Sequence, residues 1–209
     1  MNKSNFSLFL GKAGSGKSSL LISFLKTKKL FKRVYEQIFL FMPANSRASI
    51  KGGFFDKYLD PEQIFDDVKL DDLERVYDIA KENALEGNKT LIIFDDVQKY
   101  FKQSDNEKLL LHIINNRRHA RVSIWFACQT YKSIPPQIRQ GLTDIFCFKI
   151  NKKEMENIFL EQIEQHKEKF IEILEICYKN PHDFLYINTN SQKLFSNWDE
   201  IIISTDNIQ

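Results

Sequence analysis

The chain has 209 residues, 43% of them hydrophobic, and a formal net charge of +2 at neutral pH. This length suits one α/β domain with a full core, and the near-neutral charge excludes nucleic-acid binding through a global basic field. Its three cysteines and four histidines lack metal-ligand spacing, so neither disulfides nor zinc are expected. No apolar run approaches the ~20 residues of a membrane span, so we expect an intracellular protein without membrane contact.

The strongest motif is a phosphate loop, Gly11-Lys-Ala-Gly-Ser-Gly-Lys17-Ser18, between the apolar run at residues 6–10 and a helical pattern. Its glycines let backbone N–H groups approach a polyphosphate, and the following helix adds the positive end of its dipole. In such a loop Lys17 binds the outer phosphates and Ser18 binds Mg²⁺. The alternative is a glycine-rich turn that ends in Lys-Ser by chance.

The next segments continue an α/β order. A helix is expected from the phosphate loop to about Lys28, and the basic cluster at residues 26–33 suits its C-terminal dipole or, alternatively, contacts phosphates. The apolar run at residues 36–42 predicts a strand buried on both faces. Residues 44–69 lack periodicity and predict irregular structure, with one helical turn after Pro61. Within them, residues 47–55 are interpreted as an ordinary surface loop, with a DNA-contacting loop as the alternative.

A second chemical motif follows the amphipathic helix predicted at residues 70–86. The hydrophobic strand at residues 90–94 delivers Asp95 and Asp96 at its carboxyl end. Ligands of open α/β sheets collect at that edge, so Asp95 is expected to hold Mg²⁺ opposite Ser18. Asp96 is expected to polarise the attacking water. The alternative is that the two aspartates merely cap the next helix.

Gln129 stands at the tip of the strand predicted at residues 121–128. An amide there can bind the attacking water or the γ-phosphate, or it only bonds a neighbouring loop. Before this strand, residues 104–107 have the form of a capping box and predict a helix that ends near residues 116–119. After it we expect a short helix between Pro135 and Gly141, a strand at 144–150, a helical pattern from 151 to Pro181 broken near His166, and a hairpin at 184–195.

The chain resembles the viral genome-packaging ATPases of the FtsK–HerA superfamily, in the poxvirus-type group of large DNA viruses and virophages. The matching stretches are residues 9–18, 91–97, 118–119 leading into 124–130, 134–139, and the tail at 184–188 and 197–200. The resemblance implies an additional-strand, RecA-like P-loop NTPase fold, a three-layer α/β sandwich with a mostly parallel central sheet. It also implies a single domain over residues 1–209, with a nucleotide-binding core at 1–150 and a C-terminal helix and β-hairpin at 151–209.

The resemblance further implies a site for ATP and Mg²⁺. The nucleotide-binding residues would be Gly11, Lys12, Ala13, Gly14, Ser15, Gly16, Lys17, Ser18 and Ser19. The metal ligands would be Ser18 and Asp95. The catalytic residues would be Lys17, Asp96, Gln129 and Arg118. Much of the wider superfamily has Glu where Asp96 stands, so the shorter side chain must lie closer to its water. Arg118 fits best as the arginine given to the γ-phosphate of a neighbouring subunit, with Arg117 and Arg139 as alternatives.

The function implied by the resemblance is ATP-driven packaging of double-stranded DNA into a preformed capsid by a homo-oligomeric ring at the capsid vertex. DNA contact is expected through the phosphate backbone, independent of sequence. The expected location is the host cytoplasm or viral factory, with the virion as a second location. The alternatives from other classes are a small-molecule P-loop kinase and a nucleotide-dependent assembly protein that does not translocate DNA.

Overall fold

The computed structural model describes residues 4–27, 34–163 and 169–202. Within these ranges the strands are β1 (Phe6–Leu10), β2 (Gln37–Phe41), β3 (Ile64–Phe65), β4 (Thr90–Asp95), β5 (Val122–Cys128), β6 (Asp144–Phe148), β7 (Phe184–Asn188), β8 (Lys193–Ser196) and β9 (Asp199–Glu200). The α-helices are α1 (Lys17–Lys26), α2 (Ala44–Ala48), α3 (Phe54–Tyr58), α4 (Leu70–Leu85), α5 (Ser104–Asn116), α6 (Pro136–Arg139), α7 (Lys152–Gln162) and α8 (Phe170–Cys177).

The described strands form one mostly parallel sheet in the order β3-β2-β4-β5-β1-β6-β7-β8-β9. The strands from β3 to β6 in this order are parallel, and β7, β8 and β9 add antiparallel at one side. The strand β5 lies between β1 and β4, so the predicted additional strand is confirmed. Leu10 pairs with Cys128, and Asp95 pairs with Ala127, which brings three carboxyl ends to one edge.

Side chains that alternate along each strand supply a core on both faces of the sheet. On one face of the sheet, Phe9 of β1 packs with Leu21 and Phe24 of α1 and with Phe55 of α3. On the other face, β1 side chains such as Leu8 pack against the group formed by α4, α5, α6, α7 and α8. The predicted three-layer α/β sandwich is therefore confirmed.

The prediction of irregular structure at residues 44–69 is wrong in part. This segment contains α2, α3 and β3, although the single helical turn at Pro61–Gln63 is as expected. Arg47 holds the segment together, because it donates to Asp56 at 2.8 Å, to Asp66 at 2.9 Å and to the Met42 carbonyl at 3.2 Å. These ion pairs favour the surface-loop interpretation over a DNA contact by Arg47.

Other boundaries differ from the predictions in smaller ways. The first helix ends at Lys26, and the C-terminal helical pattern forms α7 and α8. The capping box is not formed: Gln103 is the N-cap of α5 without a side-chain cap, and Asn106 instead donates to the Val68 carbonyl at 3.0 Å. Most of the basic cluster at residues 26–33, and His166, lie outside the described residues. None of the described helices has the length and apolar character needed to cross a bilayer.

Candidate nucleotide-binding site

The phosphate loop has a shape that requires glycine. A Cβ atom at Gly11 would lie 2.5 Å from Ser15 Oγ and 2.8 Å from Phe148 Cβ. Gly14 and Gly16 have φ angles of +74° and +111°, which L-residues with side chains rarely adopt. Gly16 is the N-cap of α1, so the helix begins directly at the loop and directs its unpaired N–H groups toward it.

Lys17 is held inside this loop. Lys17 is only 7% exposed, and its Nζ donates to the carbonyls of Gly11 at 2.8 Å and Lys12 at 3.1 Å. A buried ammonium with carbonyl partners is in place to bind an anion that enters the loop, because both hydrogen-bond partners are neutral.

Ser18 and Asp95 meet across the edge of the sheet. Ser18 Oγ donates to Asp95 Oδ2 at 3.2 Å, and Asp95 is 2% exposed. Burial, followed by the negative charge of Asp96, raises the pKa of the Asp95 carboxyl to about 7, while Lys17 and Ser18 act in the opposite direction. A carboxylate in this condition is stabilised by a cation, and a hydroxyl and a carboxylate are the oxygen ligands that Mg²⁺ prefers.

Asp96 combines an unusual backbone with an unsatisfied carboxylate. Its φ angle is +56°, and its N–H donates to the Ala127 carbonyl at 3.1 Å, which ties the bend to β5. The atom Oδ1 is buried, yet it has no hydrogen-bond partner among the described residues. Backbone strain and an unpaired buried oxygen concentrate at functional sites. This carboxylate can accept a hydrogen bond from a water that enters the site.

Gln129 follows directly after β5 and is exposed. Because β5 lies between β1 and β4, the amide stands between the start of the phosphate loop and the two aspartates. The pairing of Gly11 N–H with the Cys128 carbonyl at 3.2 Å places the loop beside this position. The structure therefore brings Lys17, Ser18, Asp95, Asp96 and Gln129 to one edge of the sheet.

The three arginines proposed for a neighbouring site differ in their availability. Arg139 is 6% exposed, donates twice to Glu161 at 2.9 Å, and stacks its guanidinium 4.7 Å from the Tyr131 ring centroid. Arg117 donates to the carbonyls of Ser4 and Ile114.

Arg118 is exposed, and within the described ranges its side chain has no hydrogen bond or ion pair. It precedes β5, whose seven residues span about 23 Å, so it lies near the edge of the sheet opposite the phosphate loop. Arg118 cannot reach the site of its own subunit.

A cavity of about 870 Å³ opens beside the loop. The sequence did not predict which residues line it. Gly14 and residues 16–19 of the loop and α1 form one wall, residues 49–51 a second, and His182 with Phe184 a third. This volume suits a nucleotide-sized ligand. His182 is exposed, and its hydrogen-bond partner, the Ser15 carbonyl at 2.9 Å, lies in the phosphate loop. Only the separation of 167 residues in sequence concealed this contact.

Solved structures with a similar fold support the topology. The DNA-packaging ATPase B204 from Sulfolobus Turreted Icosahedral Virus superposes with a TM-score of 0.65 at 19% identity, over 93% of this chain and 97% of B204. The genome packaging NTPase B204 from Sulfolobus turreted icosahedral virus 2, in complex with ATP-gammaS, gives a TM-score of 0.65 at 18% identity, with the same shares covered. The fold is therefore that of P-loop packaging NTPases.

Sequence relatives narrow the assignment. The DNA packaging protein OPG160 of vaccinia virus (strain Copenhagen) is 29% identical over 173 residues, covering 77% of this chain and 59% of the relative. The chain thus spans less than two thirds of the length of the curated relatives it matches. The family described as Poxvirus A32 protein matches residues 1–207. The predicted resemblance to the poxvirus-type group is confirmed, and the chain belongs to the Poxvirus A32 protein family.

Proposed function

We propose that the protein is an ATP-hydrolysing translocase that packages double-stranded viral DNA into a preformed capsid. The observation that carries the proposal is the contact of Ser18 with Asp95 at 3.2 Å, directly beside a glycine-shaped loop that holds Lys17. Membership of the Poxvirus A32 protein family supports the biological role, because the vaccinia relative is named a DNA packaging protein.

The loop residues, Gly11 through Ser19, bind ATP. Their backbone N–H groups and the N-terminus of α1 receive the phosphates, and Lys17 exchanges its carbonyl partners for phosphate oxygens. Ser18 and Asp95 hold Mg²⁺, which fits a buried carboxylate whose pKa is raised to about 7 and whose partner is a hydroxyl. When bound, Mg²⁺ neutralises charge on the β- and γ-phosphates.

Hydrolysis depends on positioning and charge neutralisation. Asp96 orients the attacking water with its unpaired Oδ1, and Gln129 contacts the water or the γ-phosphate between the same two strands. Arg118 completes the site of the neighbouring subunit, since it is exposed on the far edge of its own sheet. A homo-oligomeric ring supplies that neighbour, and an arginine given in trans accelerates related reactions roughly 10³- to 10⁵-fold.

The ring contacts the DNA phosphate backbone without reading bases, because a translocating motor must tolerate every sequence. It acts at the capsid vertex, in the host cytoplasm or viral factory, with the virion as a second location. The similarity of the fold to DNA-packaging ATPase B204 supports this role.

The test is ATP hydrolysis with Mg²⁺, measured with and without long double-stranded DNA, alongside light-scattering size analysis with and without ATPγS. We expect DNA to stimulate hydrolysis several-fold and ATPγS to stabilise one oligomer. Stimulation by a small-molecule acceptor instead of DNA would assign the site to a kinase. ATP-stabilised oligomers without DNA stimulation would assign it to a non-translocating assembly protein.

A further inference from the structure

His182 connects the C-terminal part of the chain to the phosphate loop. Its Nδ1 lies 2.9 Å from the Ser15 carbonyl oxygen, and because a carbonyl only accepts, Nδ1 must carry the proton and donate. The same nitrogen lies 3.4 Å from the place where a Cβ at Gly16 would stand. The imidazole therefore lies beside the peptide unit that joins Ser15 to Gly16, and it lines the cavity next to the loop.

The backbone at His182 is held in a conformation that residues other than glycine seldom adopt. Its φ angle is +70°, in the left-handed region that favours glycine. Hydrogen bonds brace the turn: the Asn180 N–H donates to Asp183 Oδ2 at 2.7 Å, and Asn197 Nδ2 donates to Asp183 Oδ1 at 3.1 Å. Asn197 Oδ1 in turn accepts from the Phe184 N–H at 3.1 Å. A strained residue that its surroundings hold so firmly is a candidate for a functional role.

The contact with His182 fixes the orientation of the peptide unit between Ser15 and Gly16. Its carbonyl and its N–H point in opposite directions, because the peptide is trans. With the Ser15 carbonyl bound to His182, the Gly16 N–H points away from the histidine. Without that bond the peptide is free to rotate, since glycine accepts both signs of φ. A rotated peptide would present a carbonyl oxygen where a phosphate oxygen needs a donor.

We propose that His182 is a positioning residue that holds the Ser15 carbonyl and thereby keeps the Gly16 N–H oriented to donate to a nucleotide phosphate. This inference rests on the proposed ATP binding. It also gives the C-terminal turn and hairpin, through Asp183 and Asn197, a direct influence on nucleotide affinity.

The test compares H182G with H182N in the full chain, using ATPγS binding by calorimetry and steady-state ATP hydrolysis. Glycine removes the donor and relieves the left-handed strain, whereas asparagine keeps an amide N–H near the position of Nδ1 and tolerates positive φ. H182G is expected to weaken ATPγS binding and raise KM roughly two- to tenfold, the size of one hydrogen bond, with kcat changed by less than about twofold. H182N should stay within about twofold of the wild type in both.

A thermal unfolding midpoint of ligand-free H182G equal to or above that of the wild type would accompany these results if the role is positioning. Unchanged ATPγS affinity in H182G, or an equal loss in H182N and H182G, would overturn the inference. Should H182G not fold, H182Q replaces it, because its amide is one methylene too far away and is expected to weaken binding similarly. A wild-type chain that fails to bind ATPγS removes the proposed function as well, whereas normal wild-type binding with unaffected variants removes only the role of His182.

Discussion

Two buried aspartates, Asp95 at the carboxyl end of β4 and Asp144 at the amino end of β6, are 2% and 1% exposed but differ in their partners. Asp144 accepts from Tyr186 Oη at 2.8 Å, Thr143 Oγ1 at 2.7 Å and Asn188 Nδ2 at 3.4 Å. Asp95 accepts from Ser18 alone among the described side chains, and the charge of Asp96 lies beside it.

The difference separates a structural carboxylate from one suited to a ligand. The donors around Asp144 compensate its burial, so this carboxylate needs no further group. At the carboxyl edge, Asp95 has a raised pKa and Asp96 has an unpaired buried oxygen. Among the described residues, the carboxyl edge therefore holds buried negative charge with fewer hydrogen-bond donors than Asp144 has.

The largest effect on ATP turnover is expected from removing Arg118, which lies at the amino edge of one subunit and is proposed to act at the carboxyl edge of its neighbour. Arg118→Ala should lower ATP turnover about 10³-fold or more, because an arginine given in trans stabilises charge in the transition state. Mixing Arg118→Ala subunits with Asp96→Ala subunits in equal amounts should restore activity at about a quarter of the interfaces, those that combine an intact Asp96 with an intact Arg118. ATP turnover measured over a series of mixing ratios checks this, and no recovery at any ratio would count against Arg118 in trans.

Lys17→Ala should reduce ATP turnover about 10²- to 10³-fold, since the buried ammonium contributes charge that the loop amides cannot replace. Circular dichroism should show a folded protein. Lys108→Ala is the matched control, because Lys108 is exposed on α5 and pairs only with Asp105 in the described structure. Turnover by Lys17→Ala equal to that of Lys108→Ala would contradict the assignment of the loop.

Arg139→Ala should lower the free energy of unfolding by about 2–4 kcal/mol, since it leaves Glu161 and the Ile134 carbonyl without their donor. Arg118→Ala should change it by less than about 0.5 kcal/mol, because the side chain is exposed. Urea denaturation of the two variants measures this difference. Equal stability losses would remove the distinction between a structural and an available arginine.

Neutralising Asp95 and neutralising Asp144 should change the free energy of unfolding in opposite directions. Asp144→Asn is expected to destabilise the protein by about 1–3 kcal/mol, because a charged acceptor of several hydrogen bonds is lost. Asp95→Asn is expected to stabilise the metal-free protein at pH 8 by about 1–3 kcal/mol, because it removes a charge that the site disfavours.

The pH dependence of the Asp95 effect has a definite direction. The folded pKa of about 7 exceeds the ordinary aspartate pKa of 3.8, so the folded state keeps a proton that the unfolded state releases between these values. Wild-type stability from this group therefore falls as pH rises from about 4 to 7 and is level above. Thermal melts of wild type and Asp95→Asn should coincide near pH 4, diverge up to about pH 7, and keep that difference from pH 7 to pH 8. A constant difference across this range would contradict the raised pKa.

The strands and the main site motifs were predictable because their signals are local. Apolar runs of five to seven residues marked β1, β4 and β5, and the glycine spacing marked the phosphate loop. Each motif then reaches the same edge because parallel strands end there together.

What the sequence withheld depends on contacts between distant residues. The helices α2 and α3 rest on Arg47 and its pairs with Asp56 and Asp66, which have no periodic signature. The hydrogen bond from His182 to the Ser15 carbonyl connects residues that are 167 positions apart in sequence. Asp96 has left-handed backbone and donates its N–H to Ala127 on the neighbouring strand, and residue types alone do not reveal either feature.

The measurement that tests the central claim most directly is a crystal structure of the protein with ATPγS and Mg²⁺. We predict phosphates on the backbone amides of residues 11–18, and a metal ion about 2.1 Å from Ser18 Oγ that Asp95 contacts directly or through one water. Nucleotide bound away from this loop, or a metal without contact to Ser18 and Asp95, would contradict the account.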